Sequence, residues 1–201
     1  MVISNDQGKM LVTLARTVLE GAVKGEVPAE SETTPLLDEK RGVFVTLNKV
    51  DSGARALRGC IGFPYPSKKL GEAVKQATVA ACSEDPRFPP VMEEELGSIV
   101  VEVSVLTPPK KLESGDRRDL PSKVRVGEDG LIVSSEYQSG LLLPQVATEY
   151  RLSPEDFLSE TCMKAGLTPD SWLDPRTSVQ TFQAEVFAES SPWGRVERVS
   201  T

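Results

Sequence analysis

Leu57-Arg58-Gly59-Cys60-Ile61-Gly62 places a guanidinium two residues before a thiol, between glycines, in an apolar run. Alternate residues of an extended chain share a face. Arg58 and Cys60 then point to one side, and Leu57, Gly59 and Ile61 to the other. A fixed positive charge beside a thiol stabilises the thiolate, so the stretch reads both as a strand and as a candidate site. Immediately upstream, Val43-Phe44-Val45-Thr46-Leu47 is rich in β-formers, and Asn48 to Gly53 has turn composition. Together they predict a hairpin, 43–47 with 54–61.

Working outward, Phe63-Pro64-Tyr65-Pro66 breaks the strand, and Ser67 is placed to cap a helix with Leu70, Ala73, Val74, Ala77 and Ala81 on its core face. Asp85-Pro86-Arg87-Phe88-Pro89-Pro90 stops that helix, because proline cannot continue it and restricts the residue before it. Ile99 to Leu106 is nearly continuous in β-branched residues and reads as an interior strand. On the amino-terminal side, Asn5 or Asp6 caps a helix carrying Met10, Leu11, Leu14, Val18 and Ala22 on one face, ended by Gly25 and Pro28. Pro28 to Lys40 reads as a polar surface loop.

Further along, Lys110 to Ser122 is a charged excursion, Val124–Val126 a short strand, and Leu131–Val133 and Leu141–Leu143 strands around a turn, the second stopped by Pro144. Ser153-Pro154-Glu155-Asp156 combines a cap, a proline at the first helical position and first-turn acids. Phe157, Leu158, Cys162 and Ala165 form the inner face of that helix and Gly166 its stop. Val179 to Ala188 is the last strand. Strand, strand, helix, strand therefore occurs twice, at an offset of roughly 80 to 90 residues. We expect an α+β fold of mostly antiparallel sheet with packed helices and two related β-rich repeats. The whole chain, 1–201, reads as a single domain, with intimate subdomains at about 40–107 and 124–188 and an N-terminal helix over 6–25.

The 201 residues carry a net charge of −7, with 26% charged and 39% hydrophobic residues. That balance fits a globular protein with a real core and excludes broad nucleic-acid binding, which needs a basic surface. No apolar run approaches the roughly 20 residues that span a bilayer, and the first residues lack the pattern of a signal peptide. A cytoplasmic location is expected, and three widely spaced cysteines agree, since they form no disulfide framework. Histidine is absent, which removes His-assisted nucleophiles and the commonest metal ligand. No metal and no cofactor is expected, and no Gly-rich phosphate loop of the Walker or Rossmann kind is present.

Beside Cys60, two acids and two further polar residues are candidates. Glu102 interrupts an apolar strand and needs a partner if buried, Arg58 or Arg87 being the natural counterion. Asp85 and Arg87 sit in a proline-fixed turn able to aim a side chain. Gln145 follows Pro144 at the corresponding place in the second half. Gly59 and Gly62 read equally as places of close approach for backbone or a ligand and as bulge or packing glycines.

LRGCIG, DPRFPP, VEVSVL, GLLLPQVA and the later FL…C.KAGL…W, in that order, resemble the AMMECR-type domain family over roughly residues 5 to 190. The resemblance implies an intracellular α+β protein of two related repeats, associated with Memo-like and radical-SAM proteins. Two readings of function stand side by side. In one the chain is an enzyme acting on a small anionic substrate. Cys60 is then nucleophile or redox thiol, Glu102 or Asp85 moves protons, and Arg58, Gly59, Gly62, Arg87 and Gln145 bind substrate. In the other it is a non-catalytic protein- or ligand-binding adaptor, with Cys60 as packing. A nucleotide- or RNA-related enzyme is a weaker alternative, resting on a local arginine pocket.

Overall fold

In the computed structural model the described residues are 3–26, 34–51 and 53–199. The chain divides into two compact units, one of residues 1–106 and 185–200, the other of residues 107–184.

The first unit starts with helix α1 (Asn5–Lys24). Ser4, one residue earlier than the expected cap, accepts from the Gln7 N–H while the Gln7 side chain returns to the Ser4 N–H, so two orphan donors are satisfied at once. Gly25 ends the helix at φ +70°. The predicted polar loop falls partly outside the described residues (27–33). The rest of it is the short helix α2 (Pro35–Asp38), whose Leu36 is buried.

Strands β1 (Gly42–Asp51) and β2 (Ala54–Phe63) form the expected hairpin. Both strands run longer than predicted. Helix α3 (Leu70–Ser83) begins three residues after Ser67 and has no side-chain cap. Its predicted face is right: Leu70, Ala73, Val74, Ala77 and Ala81 are all buried. Strand β3 (Ile99–Leu106) follows a 3-10 turn, Glu93–Ser98, and pairs antiparallel with β1. Apolar residues of α1 and α3 share one core with Val43, Val45 and Leu47 of β1 and Ile99, Val101, Val103 and Val105 of β3. Thr46 and Glu102 therefore point to the face away from that core.

The second unit repeats the plan. A short strand β4 (Lys110–Lys111) and a 3-10 turn (Arg117–Lys123, with Leu120 buried) replace the featureless excursion, and Val124–Val126 is not a strand. Strands β5 (Gly130–Ser134) and β6 (Ser139–Leu142) make a hairpin. Helix α4 (Pro144–Glu149) was not foreseen, because Pro144 reads as a stop although proline is favoured at a first helical position. Helix α5 (Pro154–Lys164) has the predicted cap and inner face, and Gly166 follows at φ +77°. Strand β7 (Ser178–Phe182) then pairs antiparallel with β5.

The predicted final strand 179–188 is two strands. After a break at Gln183, β8 (Ala184–Glu189) joins the first unit's sheet, where β9 (Val196–Val199), unforeseen, pairs with it antiparallel. The two sheets run β2-β1-β3-β8-β9 and β4-β7-β5-β6. Within them, β2-β1-β3 and β6-β5-β7 are the same three-stranded antiparallel motif, with α3 between β2 and β3 and α4 and α5 between β6 and β7 in sequence.

One pair of glycines makes the repeat concrete. A Cβ on Gly59 of β2 would stand 2.1 Å from the Ala81 carbonyl oxygen at the end of α3. A Cβ on Gly140 of β6 would stand 2.3 Å from the Ala165 nitrogen at the end of α5. In both units the last helical turn lies directly on a strand backbone, and only glycine leaves room for it.

Candidate functional site

Strand β2 is the outer strand of its sheet, so part of its backbone has no strand to bond. The Asp85–Arg87 turn supplies the missing partners. Asp85 Oδ2 accepts the Cys60 N–H at 2.8 Å, and Arg87 Nη2 donates to the Cys60 carbonyl at 3.3 Å. The two side chains are themselves bound as a fork, Nε to Oδ1 at 2.9 Å and Nη2 to Oδ2 at 2.7 Å. A carboxylate and a guanidinium thus take the place of a neighbouring strand's carbonyl and N–H. Asp85 is buried, and the Arg87 guanidinium, with the backbone N–H bonds it accepts, holds its carboxyl well below the usual carboxylate range. It is ionised at neutral pH and is no proton donor there.

Arg58 does not stand beside Cys60 as alternation implies. Leu47 pairs with Gly59 and Asn48 with Leu57, so Arg58 is the extra residue of a bulge and the two-residue period breaks at it. Its side chain runs to the loop before β3. Nε and Nη2 bind Glu95 at 3.0 and 2.9 Å, while Nη1 and Nη2 donate to the carbonyls of Pro89 and Pro90 at 2.8 and 3.2 Å. Every nitrogen is engaged, which removes Arg58 from the expected substrate-binding set. Gly59 and Gly62 leave it too, since both are packing positions. A Cβ on Gly62 would meet the Val43 carbonyl oxygen at 2.3 Å and the Phe44 ring at 2.5 Å.

A line of polar side chains does cross the sheet. Cys60 pairs with Thr46, and Thr46 with Glu102, so the three occupy one row on the face away from the helices. The Thr46 hydroxyl donates to Cys60 Sγ at 3.3 Å. Burial pushes the Cys60 thiol above its ordinary value, outweighing the Thr46 hydrogen bond and the charge of Arg87, while Glu102 and Asp85 add to the rise. The expected thiolate stabilised by Arg58 is therefore a neutral thiol, and the arginine that acts on it is Arg87. Burial likewise raises the Glu102 carboxyl, opposed by the charge of Arg55. Neither expected counterion reaches it: Arg58 lies on Glu95 and Arg87 on Asp85. Among the described residues Glu102 makes no side-chain hydrogen bond. Two residues on, the buried Ser104 hydroxyl is also without a partner.

Gln145 belongs to the second unit, in the first turn of α4, with its side-chain oxygen buried and unpartnered. Cys82 and Cys162 are core residues of the first and second unit. Among the described residues no group of three His, Cys, Asp or Glu side chains could hold a metal ion, and no helix is long and apolar enough to cross a membrane. Two participants escaped the sequence reading. Thr46 was legible as the polar one of the two residues of 43–47, with Phe44, that face away from the core. Glu95 was not, because nothing in Glu93-Glu94-Glu95 marks which acid turns back to Arg58.

The family model AMMECR1 matches residues 12–187. A protein of Thermococcus gammatolerans is 51% identical over 199 residues, covering 98% of this chain and 97% of its own. Another, from Methanothermobacter thermautotrophicus, is 50% identical over 189 residues, with 93% and 96% covered. The crystal structure of protein PH0010 from Pyrococcus horikoshii superposes with a TM-score of 0.90 at 49% identity, covering 99% of each chain. The chain belongs to the AMMECR1 family.

Proposed function

We propose that this member of the AMMECR1 family is an enzyme of acid–base type acting on a small anionic substrate, with Glu102 as proton carrier and Cys60 as a neutral thiol beside it. The observation that carries this reading is Glu102 itself: a half-buried carboxyl, raised by partial burial, with no hydrogen-bonded partner among the described residues, in one row with Cys60. Partial burial disfavours the ionised form, and a carboxyl raised above its ordinary value exchanges protons better near pH 7 than an ordinary one. Roles divide accordingly. Glu102 takes or gives the proton. Cys60 donates a hydrogen bond, and attacks as a nucleophile only once its proton has been removed. Arg87, half-exposed and with no protein bond on Nη1 among the described residues, holds the substrate's negative charge at the Cys60 end.

The test is alkylation of the folded protein across a pH series, with Cys60 followed by mass spectrometry. The reading expects Cys60 to react, with an inflection on the acid side of its own titration that disappears in Glu102→Gln. If Cys60 is inert in the native protein, or its profile is the same in that variant, the enzyme reading fails.

A second reading has its own observation. Arg58, Asp85 and Arg87 are bound into the edge of β2, which suits a motif that determines the fold of an adaptor module. The exposed Arg87 beside Phe88 would then dock a partner, a Memo-like or radical-SAM protein. Cys60→Ala separates the two: lower stability with partner binding intact supports the adaptor, whereas unchanged stability with cellular function lost supports chemistry.

A further inference from the structure

Four arginines of the described residues are wholly or partly withdrawn from solvent. Arg16, Arg41 and Arg58 each lie on a carboxylate, of Glu189, Glu39 and Glu95 respectively. Arg117 does not. Its Nε donates to the Trp172 carbonyl at 2.7 Å and its Nη2 to the Thr177 carbonyl at 2.9 Å. Carbonyls fix a guanidinium in place without neutralising it. Asp174 feels the charge of Arg117 but is bound to Arg176 through both oxygens.

Arg117 lines an open cavity of about 640 Å³ in the second unit. Three more cations border it, Lys111, Lys123 and Arg176, against a single acid, Glu113, with the hydroxyl residues Ser114, Thr177 and Ser178 between them. Glu113 is drawn to Lys111 at 2.8 Å, and Lys123 Nζ rests on the Glu113 backbone carbonyl. Lys111 is offset by Glu113 and Arg176 by Asp174, which leaves Arg117 and Lys123 as the cations without a carboxylate partner among the described residues, in a chain that is acidic as a whole at −7.

We propose that this cavity binds a small phosphate-bearing molecule, with the carbonyl-held Arg117 as its fixed contact and the exposed Lys123 and Arg176 beside it. A guanidinium held by two carbonyls is pre-organised and has Nη1 free of protein bonds among the described residues. Flexible lysines and hydroxyls then match the several acceptor oxygens of a phosphate. The proposal is independent of the Cys60–Glu102 row and survives if that reading fails.

The experiment is titration of the full chain at low ionic strength with inorganic phosphate, pyrophosphate and phenyl phosphate, followed by calorimetry and by the emission of Trp172, whose carbonyl holds Arg117. Trp193→Phe removes the other tryptophan's signal. Saturable binding is expected. Loss of one charge-assisted contact should weaken it about tenfold in Arg117→Gln and by a smaller factor in Lys123→Ala and Arg176→Ala. Phenyl phosphate binding at least as well as inorganic phosphate assigns the site to phosphate esters, and the reverse order assigns it to the free anion. The two surface variants keep the test sound should Arg117→Gln unfold. No saturable binding of any of the three probes, or binding unchanged in the variants that fold, overturns the proposal.

Discussion

Glu95→Gln is the sharpest test of how the chain holds its edge strand. Arg58 is only 9% exposed, and Glu95 is its one carboxylate partner, accepting at 3.0 and 2.9 Å. The guanidinium, with the Met92 N–H and Lys49 adding to it, holds the Glu95 carboxyl at about 2, against roughly 4.3 for an ordinary glutamate. That difference corresponds to about 3 kcal/mol of stability. Breaking a buried pair by removing one charge gives the same size, about 3–5 kcal/mol. The folded-state value is depressed, so the contribution is complete above the unfolded value and is lost as pH falls from roughly 4.3 toward the folded one. Urea unfolding of wild type and Glu95→Gln, from about pH 7 down to about pH 2.5, reads it directly. The variant should be less stable by about 3 kcal/mol at neutral pH, and the gap should shrink through the acid range. A neutral-pH gap under about 1 kcal/mol, the size of an exposed pair, or a gap independent of pH, refutes the account of Arg58 as a buried structural cation.

Other outcomes follow from the same geometry. Gly59→Ala and Gly140→Ala each drive a methyl into helix backbone, at 2.1 and 2.3 Å, and should each cost about 3 kcal/mol in chemical denaturation. Gly97→Ala, with nothing within 4 Å of its Cβ, is the matched control and should change stability little. Because its folded-state carboxyl is raised, Glu102 removes stability as pH rises from the unfolded value through the folded one. Glu102→Gln should therefore gain on wild type progressively above roughly pH 4.3, in melting curves across pH. Cys60 should alkylate more slowly near pH 8 than a free thiol of ordinary pKa, since burial raises it. A faster rate would restore the thiolate reading.

What the sequence made legible was the periodic part. The inner face of α3, the inner face and cap of α5, the interior strand 99–106 and the duplicated strand–strand–helix–strand order follow from repeating apolar positions, which burial enforces. The errors fall where one residue changes the geometry. Arg58 and Cys60 share a face only in a regular strand, and the bulge at Arg58 sends its side chain to Glu95 instead. Val179 to Ala188 has an unbroken strand composition, yet Gln183 bonds both ways with Thr107 and lets the two halves join different sheets. Local pattern cannot show such a switch, because it is set by which sheet still lacks a strand. Pro144 was ambiguous for a related reason: proline ends a strand and begins a helix equally well.

The site residues also separate by what the fold asks of them. Asp85 and Arg87 complete the backbone bonds of Cys60, and Arg58 neutralises Glu95, so each has a structural partner that accounts for its position. Glu102 has none of comparable kind. In β3 a valine there would match its neighbours and remove a half-buried carboxyl that partial burial makes harder to ionise, so stability alone argues against glutamate. Its half-buried place beside Thr46, in line with Cys60, suits a group that exchanges protons with a bound molecule, and an edge-holding motif does not need it. Stability and reactivity measured on Glu102→Gln therefore bear on the two readings of function differently. A variant that is more stable at neutral pH and has lost the Cys60 reactivity profile supports chemistry at this row. One that is more stable with reactivity unchanged leaves Glu102 no chemical part and transfers the weight to the adaptor surface at Arg87 and Phe88.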